Sequence, residues 1–356
     1  MSQTTDPVQH FLEDLSYHGR TDRTRDAYRR VLTQFQEFLA DPDRNPGGAR
    51  VDLEEATHRD CMAWLSTQRG ELSESTVATY ASYLHRFYDY MNQIGEFDDN
   101  PMALVMEELD ERIDTDPNRR DIPLPEMAAF VQDIGHPLDR AVILTLLKTG
   151  IRAGELCNLD LRDVNLELRN VNLGLRDVNL DDGAVTSGPV RAHLEGRPNS
   201  LYVSSEPQAG AVTNGEKRTA SNKRKRDTVI PIDDELARTL ERWLAIRPDP
   251  RSDAGPLFVS TDRKWGSRLT GTEVHHIVTS RAKDRGWYRE GGGAGENVTP
   301  HYFRHFFTTH LRDRTGDRGI VKYLRGDVAT DIIDTYTHNW GDRVREVYEE
   351  SIYSLL

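Results

Sequence analysis

Apolar positions recur every three or four residues in two long stretches near the start of the chain. From Ser73 to Ile94 they are Val77, Tyr80, Leu84, Phe87, Met91 and Ile94; from Thr24 to Leu39 they are Tyr28, Val31, Leu32, Phe35 and Leu39. That period puts each set on one face of an amphipathic helix. Thr57 with Asp60 carries the signature of a capping box and opens a helix through Trp64 and Leu65. A shorter helix near Val8 to Leu15 precedes them. The pattern predicts a small helical bundle over residues 1–98. Asn100-Pro101, Asp116-Pro117 and the acidic stretch Glu107 to Asp116 then mark a linker over 99–122, with a short helix inside it from Met102 to Ile113.

The pattern changes over residues 123–356. Helical stretches at Pro125 to Ile134 and Leu138 to Lys148 stop at Thr149-Gly150, glycine being the favoured residue just past a helix end. A short helix follows from Arg152 to Asn158. A seven-residue unit then occurs three times, beginning at Leu161, Leu168 and Leu175. Three copies are too few for a solenoid, and Val, Asn and Gly are poor helix formers, so the unit reads as a local duplication that lengthens a loop ahead of a sheet. Strands are expected at Leu201 to Ser204 and Thr228 to Ile232, with a polar, basic insertion around 165–226. Leu257 to Val259 is a strand or turn. Further helices are expected at Asp234 to Ile246, Thr272 to Gly286, Thr299 to Arg314, Gly319 to Leu324 and Thr330 to Thr337. A tail helix over 342–356 carries Val344, Val347, Tyr348, Ile352 and Leu355 at helical spacing. The fold class is mainly α with a small antiparallel β-sheet.

Composition adds a compartment and an oddity. No apolar run approaches the ~20 residues a bilayer requires, and no basic, apolar leader opens the chain, so a soluble cytoplasmic protein is expected. Cys61 and Cys157 have no metal-ligand spacing and read as reduced, buried thiols. The net charge is −13, and only 7 of the 46 basic residues are lysine. Such acid-rich, lysine-poor chains suit high internal salt, which points to a halophilic archaeal source. There the Debye length falls to ~3 Å, so net charge does not exclude a polyanionic partner. Residues 1–119 carry 12 basic and 24 acidic side chains, whereas residues 120–356 carry 34 and 35. The second part is the more plausible phosphate-binding part.

Three short patterns carry candidate chemistry. Thr299-Pro300-His301-Tyr302-Phe303-Arg304-His305 opens a helix with Pro in its first turn; His301 and Arg304 share a face and can bind one phosphate, with His305 nearby. A metal reading of His301 and His305 lacks a third ligand at a recognisable spacing. In Lys148-Thr149-Gly150-Ile151-Arg152-Ala153-Gly154-Glu155-Leu156, a glycine break holds Arg152 at a helix start between apolar flanks, where it can clamp a phosphate or simply pair with Glu155. In Thr335-Tyr336-Thr337-His338, the Tyr336 phenol can serve as a nucleophile or as packing.

Taken in order, Arg152 in its TGIRAGEL segment, a basic hairpin ending Thr228-Val229-Ile230-Pro231-Ile232, His301-x-x-Arg304-His305 and Tyr336-Thr337-His338 resemble the tyrosine recombinase (phage integrase) family, XerC/XerD-like, over essentially the whole chain. The resemblance implies an N-terminal helical (SAM-like) core-binding domain and a C-terminal mixed α+β catalytic domain. It makes Arg152 and Arg304 the two catalytic arginines, His301 the histidine of the HxxR motif and Tyr336 the nucleophile. The catalytic lysine falls at Lys223, eight residues before Pro231, with Lys225 as fallback. Glu155 matches the acidic support of the first arginine. The family usually places a His or Trp nine residues before the tyrosine; here Leu324-Arg325-Gly326-Asp327 puts Asp327 there, a carboxylate that orients His305 or Arg304 or else lowers activity.

The implied activity is site-specific cleavage and rejoining of DNA through a 3′-phosphotyrosine, without metal, ATP or other cofactor. The partners are double-stranded DNA bearing a recombination site and other copies of the chain, as a dimer on DNA and a tetramer in the synapse. Lys217, Arg218, Lys223, Arg224, Lys225 and Arg226, six cations in ten positions, are candidate DNA contacts, as are Arg25, Arg29, Arg30 and Arg86 on the N-terminal helices. A catalytically silent DNA-binding relative, acting as an accessory or regulatory factor, is the alternative, and a topoisomerase-like nicking enzyme a third. The apolar tail either docks on a neighbouring copy or packs back on its own domain.

Overall fold

Val77, Tyr80, Leu84, Phe87 and Met91 line the buried side of helix α4 (Glu74–Gln93), while Ile94 falls at its C-cap and is exposed. The structure, a computed structural model, describes residues 6–18, 22–112, 119–167, 184–185, 190–327 and 340–356. Its contacts divide the chain into two units, Met1–Pro117 and Asn118–Leu356.

In the first unit α4 packs with α1 (Pro7–Tyr17), α2 (Asp22–Ala40) and α3 (His58–Arg69). Phe11 meets Phe87 edge-on at 5.4 Å, and Phe35 meets Trp64 likewise at 5.3 Å. These are the offset geometries aromatic quadrupoles favour. The capping box of α3 forms, with the Thr57 backbone N–H donating to Asp60 Oδ2 at 2.9 Å. Helix α5 (Met102–Glu108) differs from its expected place in a linker: Met102 and Val105 are buried in this bundle's core, because they supply apolar surface that α3 and α4 leave open.

The second unit is built around α7 (Pro137–Thr149), whose residues 141–149 are all buried. A helix apolar on every side belongs at the centre of a domain, and α7 packs against both α9 (Asp234–Ile246) and α11 (Pro300–Thr315). Around them lie α6 (Leu124–Gln132), α8 (Ala153–Cys157), α10 (Gly271–Asp284) and α12 (Arg318–Arg325). An antiparallel sheet runs β2-β1-β3-β6, from β1 (Val164–Glu167), β2 (Ala184–Val185), β3 (Ser200–Val203) and β6 (Thr228–Pro231). Leu201 pairs with Ile230 and Tyr202 with Val229. The insertion before β6 contains a hairpin, β4 (Val212–Thr213) with β5 (Glu216–Lys217), closed by Asn214-Gly215 with both φ positive. That is the two-residue turn asparagine-glycine prefers. Leu257 to Val259 forms no strand; Val259 makes a single bridge to Arg268. Copies two and three of the seven-residue unit, and the helix expected at Thr330 to Thr337, lie outside the described residues.

The C-terminal segment packs on its own domain. Val344 and Tyr348 of α13 (Trp340–Ser351), then Tyr353 and Leu355, are buried in the second unit's core. Cys61 and Cys157 are buried free thiols, and burial pushes the Cys157 thiol up to about 12. No described helix is long and apolar enough to cross a membrane.

Candidate active site

Two glycines fix the turns from which the site is built. Gly150 ends α7 at φ 62°, and a Cβ there would stand 2.3 Å from the Phe307 ring. Gly326 ends α12 at φ 69°, and a Cβ there would stand 2.3 Å from Cγ of Arg224. Left-handed backbone and close approach together demand glycine at both places. The first turn delivers Arg152 to the start of α8, and the second delivers Asp327.

Arg152 is gripped from both ends of Glu155. Its backbone N–H donates to Oε2 at 2.9 Å and its Nη1 to Oε1 at 3.0 Å. Glu155 is fully buried and also accepts from Nη2 of Arg224 at 3.1 Å. Arg304, on α11, is 2% exposed. Its Nη1 donates to the Gly150 carbonyl at 2.6 Å and its Nη2 to the Arg325 carbonyl at 3.0 Å. The two arginines then meet at one atom: Oδ1 of Asp327 accepts from Arg152 Nη2 at 2.7 Å and from Arg304 Nη2 at 2.8 Å. Oδ2 of the same carboxylate lies 2.9 Å from Nε of Arg325.

This crowding of cations sets the protonation states. Burial, then the neighbouring Arg152, push Arg304 down to about 10, which leaves it charged at neutral pH. Burial opposes the charge of Arg152 too, but Glu155 and Asp327 outweigh it and its pKa rises. Burial works against the Asp327 carboxylate, yet Arg304, Arg325 and Arg152 hold it below the usual range. His301, in the first turn of α11, is lowered by desolvation and then by Arg119, Arg304, Arg325 and His305. A lowered imidazole is neutral at pH 7 and able to accept a proton.

Arg152, Glu155, Arg304 and Asp327 are thus in direct contact, with His301 beside them. Asp327 orients Arg304 as well as Arg152. His305 sits one turn along α11, its ring 6.4 Å from that of Tyr302. Lys223 and Lys225 are exposed and flank the buried Arg224, and the Lys225 N–H donates to the Gly326 carbonyl at 3.2 Å, pinning this segment beside the Asp327 turn. Tyr336 lies outside the described residues.

The basic insertion needs a correction. Arg218 and Arg224 are not surface cations: Arg224 serves Glu155, and Arg218 Nη2 donates to Asp160 Oδ2 at 2.8 Å beside Arg268, both arginines being buried. Burying a guanidinium demands a paired carboxylate, and Glu155 and Asp160 provide one each. Lys217, Lys223 and Lys225 are exposed, and Arg226 lies 5.6 Å over the Tyr323 ring. In the first unit Arg25 pairs with Asp22, Arg29 with Asp26 at 2.7 Å, and Arg86 lies 3.8 Å from Asp89. Sequence reasoning missed Arg325 and Arg119, both arginines within electrostatic reach of His301. Arg325 had a signal: a cation in the last turn of a helix, two residues before an acid.

Two family models match the chain, the "Phage integrase, N-terminal SAM-like domain" over residues 8–94 and the "Phage integrase family" over residues 208–342. The XerC tyrosine recombinase of Pelobacter propionicus is 23% identical over 97% of this chain and 96% of its own length. Among solved structures, the Tn1549 transposon integrase in complex with a circular intermediate DNA aligns with TM-score 0.60 at 17% identity, covering 96% of this chain and 98% of that one. A lambda integrase dimer bound to a COC′ core site aligns with TM-score 0.59 at 16% identity, covering 92% and 95%. At these identities the structures speak for the fold alone. The sequence matches carry the rest: the chain belongs to the phage integrase family of tyrosine recombinases.

Proposed function

We propose that this chain cuts and rejoins double-stranded DNA at a specific site through a 3′-phosphotyrosine formed on Tyr336. The observation that carries this is the convergence of Arg152 and Arg304 on a single anionic oxygen. A phosphodiester repels nucleophiles by its own charge. Two guanidiniums held by Glu155, Gly150 and Arg325 neutralise its non-bridging oxygens and stabilise the extra charge of the five-coordinate transition state; preorganised donors of this kind are worth several kcal/mol.

The Tyr336 oxygen attacks phosphorus in line, forming the P–O bond to tyrosine as the P–O5′ bond breaks. His301, neutral at pH 7, accepts the phenolic proton. Lys223, exposed beside the Gly326 turn, gives a proton to the departing 5′ oxygen. The ester bond energy is kept in the phosphotyrosine, so attack by a 5′-hydroxyl of another strand reseals the backbone. Exchange between two sites needs at least two copies bound to DNA and, at the synapse, four. Lys217 and Lys225, both exposed, meet phosphates outside the reacting centre in this reading.

A second reading, a silent DNA-binding relative, draws on Asp327, a carboxylate sitting between the arginines. The test is a randomised, nicked duplex library in which a cut releases a short fragment and traps the covalent adduct. The recombinase yields an adduct with a defined sequence, lost in Tyr336→Phe, and joins two such sites. Binding without adduct in the unaltered chain would select the silent relative, and adducts with no sequence preference would select a topoisomerase-like activity.

A further inference from the structure

We propose that Asp327 is the internal occupant of the phosphate site: its carboxylate holds Arg152 and Arg304 together in the DNA-free protein, and an incoming phosphate must displace it. The inference rests on the recombinase reading for its biological meaning, but the site itself is a matter of donors and acceptors. Arg304 Nη2 has two hydrogens, and they go to the Arg325 carbonyl and to Asp327 Oδ1. Its Nη1 is engaged by the Gly150 carbonyl. The Arg304 side chain is 3% exposed and that of Asp327 27%. Solvent therefore meets the carboxylate, and an oxygen arriving from solvent reaches Arg304 Nη2 only by taking the place of Oδ1.

The charge balance allows the exchange. Arg152, Arg224, Arg304 and Arg325 face Glu155 and Asp327, so the cluster is cationic even with the carboxylate in place. Arg152 and Arg304, sharing one oxygen, would repel each other without an anion between them. Asp327 supplies that anion while no DNA is bound. Its backbone is anchored, the N–H donating to the Lys322 carbonyl at 3.1 Å, and Gly326 cannot take a Cβ without striking Arg224. Displacement is therefore a rotation about Cα–Cβ rather than a movement of the chain. The turned carboxylate keeps a partner, because Arg325 is already at its other oxygen. Glu155, held at zero exposure by Arg152 and Arg224, has no such freedom.

The test uses the full chain without DNA and inorganic phosphate as the probe, titrated calorimetrically at fixed ionic strength. Asp327→Asn, which keeps the shape and removes the charge, is expected to bind phosphate about tenfold more tightly than the unaltered chain. Asp327→Ala should shift in the same direction, and Asp284→Asn, an exposed carboxylate on α10, should leave affinity unchanged. In the unaltered chain, the Asp327 carboxyl 13C resonance should move as phosphate is added. Equal or weaker phosphate binding by well-folded Asp327→Asn, or a carboxyl resonance that ignores phosphate at saturation, would overturn the proposal. If both variants fail to fold, that resonance decides alone. The two readings fail separately: tightened phosphate binding with no covalent DNA adduct from any form sinks the recombinase and leaves the occupant standing. Adduct formation with unchanged phosphate affinity does the reverse.

Discussion

Arg224 and Glu155 form a fully buried ion pair, Nη2 to Oε2 at 3.1 Å, with neither side chain exposed. Arg152 takes the same carboxylate from the other side. Removing one partner of a buried pair costs about 3–5 kcal/mol, and Glu155 keeps one arginine, so Arg224→Ala should fall at or just below the low end of that range. The expected result is a lower melting temperature together with loss of DNA cleavage. Lys217→Ala, an exposed cation on β5, should melt as the parent does and weaken DNA binding alone, with a salt slope shallower by about one. Thermal melts and binding isotherms at several salt concentrations separate the two. An Arg224→Ala protein that melts normally would show that this pair stabilises nothing.

His301 predicts the acid limb of activity. Desolvation and the surrounding arginines lower its pKa, so protonation is disfavoured in the folded protein relative to the unfolded chain. A proton acceptor of this kind stays neutral until the pH is well below the usual ~6.5 of histidine. The rate of adduct formation should therefore be flat through neutrality and fall only below that value. Arg325→Gln removes one positive neighbour and should move the limb to higher pH. Folding carries the same sign: this group's contribution is lost as pH falls from the unfolded value through the lowered folded one. A limb unmoved in Arg325→Gln would remove His301 from the proton transfer.

What the sequence made legible follows from what decides each element. Periodic stripes such as Val77 to Met91 are local, and so is the stop at Gly150; both needed only spacing and backbone preference. Asn214-Gly215 closes a hairpin whose strands, Val212–Thr213 and Glu216–Lys217, have two residues each, too few for an alternating pattern to show in the sequence. The fate of the basic run was not local at all. Lys223, Arg224, Lys225 and Arg226 are alike in composition, and which one turns inward is set by Glu155, 69 residues earlier. Asp327 was visible as a departure from the family pattern, but its role required knowing that two arginines from α8 and α11 end at the same oxygen.

The acidic, lysine-poor composition leads to a salt prediction. With 11 basic against 24 acidic side chains in residues 1–117, the first unit repels itself at low ionic strength. Screening at ~1 M salt shortens the Debye length to ~3 Å and removes most of that repulsion. The melting temperature should rise steadily as potassium chloride goes from about 0.1 to 2 M, more for residues 1–117 than for residues 118–356 if the two transitions separate. A melting temperature independent of salt would remove the halophilic expectation.

Lys148 ties the C-terminal segment to the arginine turn. It lies fully buried two residues before Gly150, with Nζ 2.5 Å from Asp233 Oδ2 and 2.8 Å from Glu235 Oε2, and it donates to the Tyr353 carbonyl. Tyr348 returns a bond to the Lys148 carbonyl at 3.0 Å, and the Leu355 N–H donates to Glu235 at 2.9 Å. Burial opposes the Glu235 charge, but Lys148, Ser354 and the Leu355 N–H prevail and lower its pKa below 4.5. A carboxylate lowered on folding contributes stability that is whole above its unfolded pKa and is lost as pH falls through the folded one. Lys148→Ala leaves two carboxylates facing the core without their cation and should lose about 3–5 kcal/mol. Lys148→Met, which fills the space, should lose less. Both should flatten the stability profile below pH ~4.5, since Glu235 then titrates nearer its unfolded value. The described tail resumes at Trp340, four residues after the proposed nucleophile Tyr336, so adduct formation is expected to drop in Lys148→Met by more than its melting temperature alone accounts for. Denaturant melts from pH 3 to 7, run beside adduct formation at pH 7, check both; an acid limb retained in Lys148→Met would show that the Glu235 shift has another source.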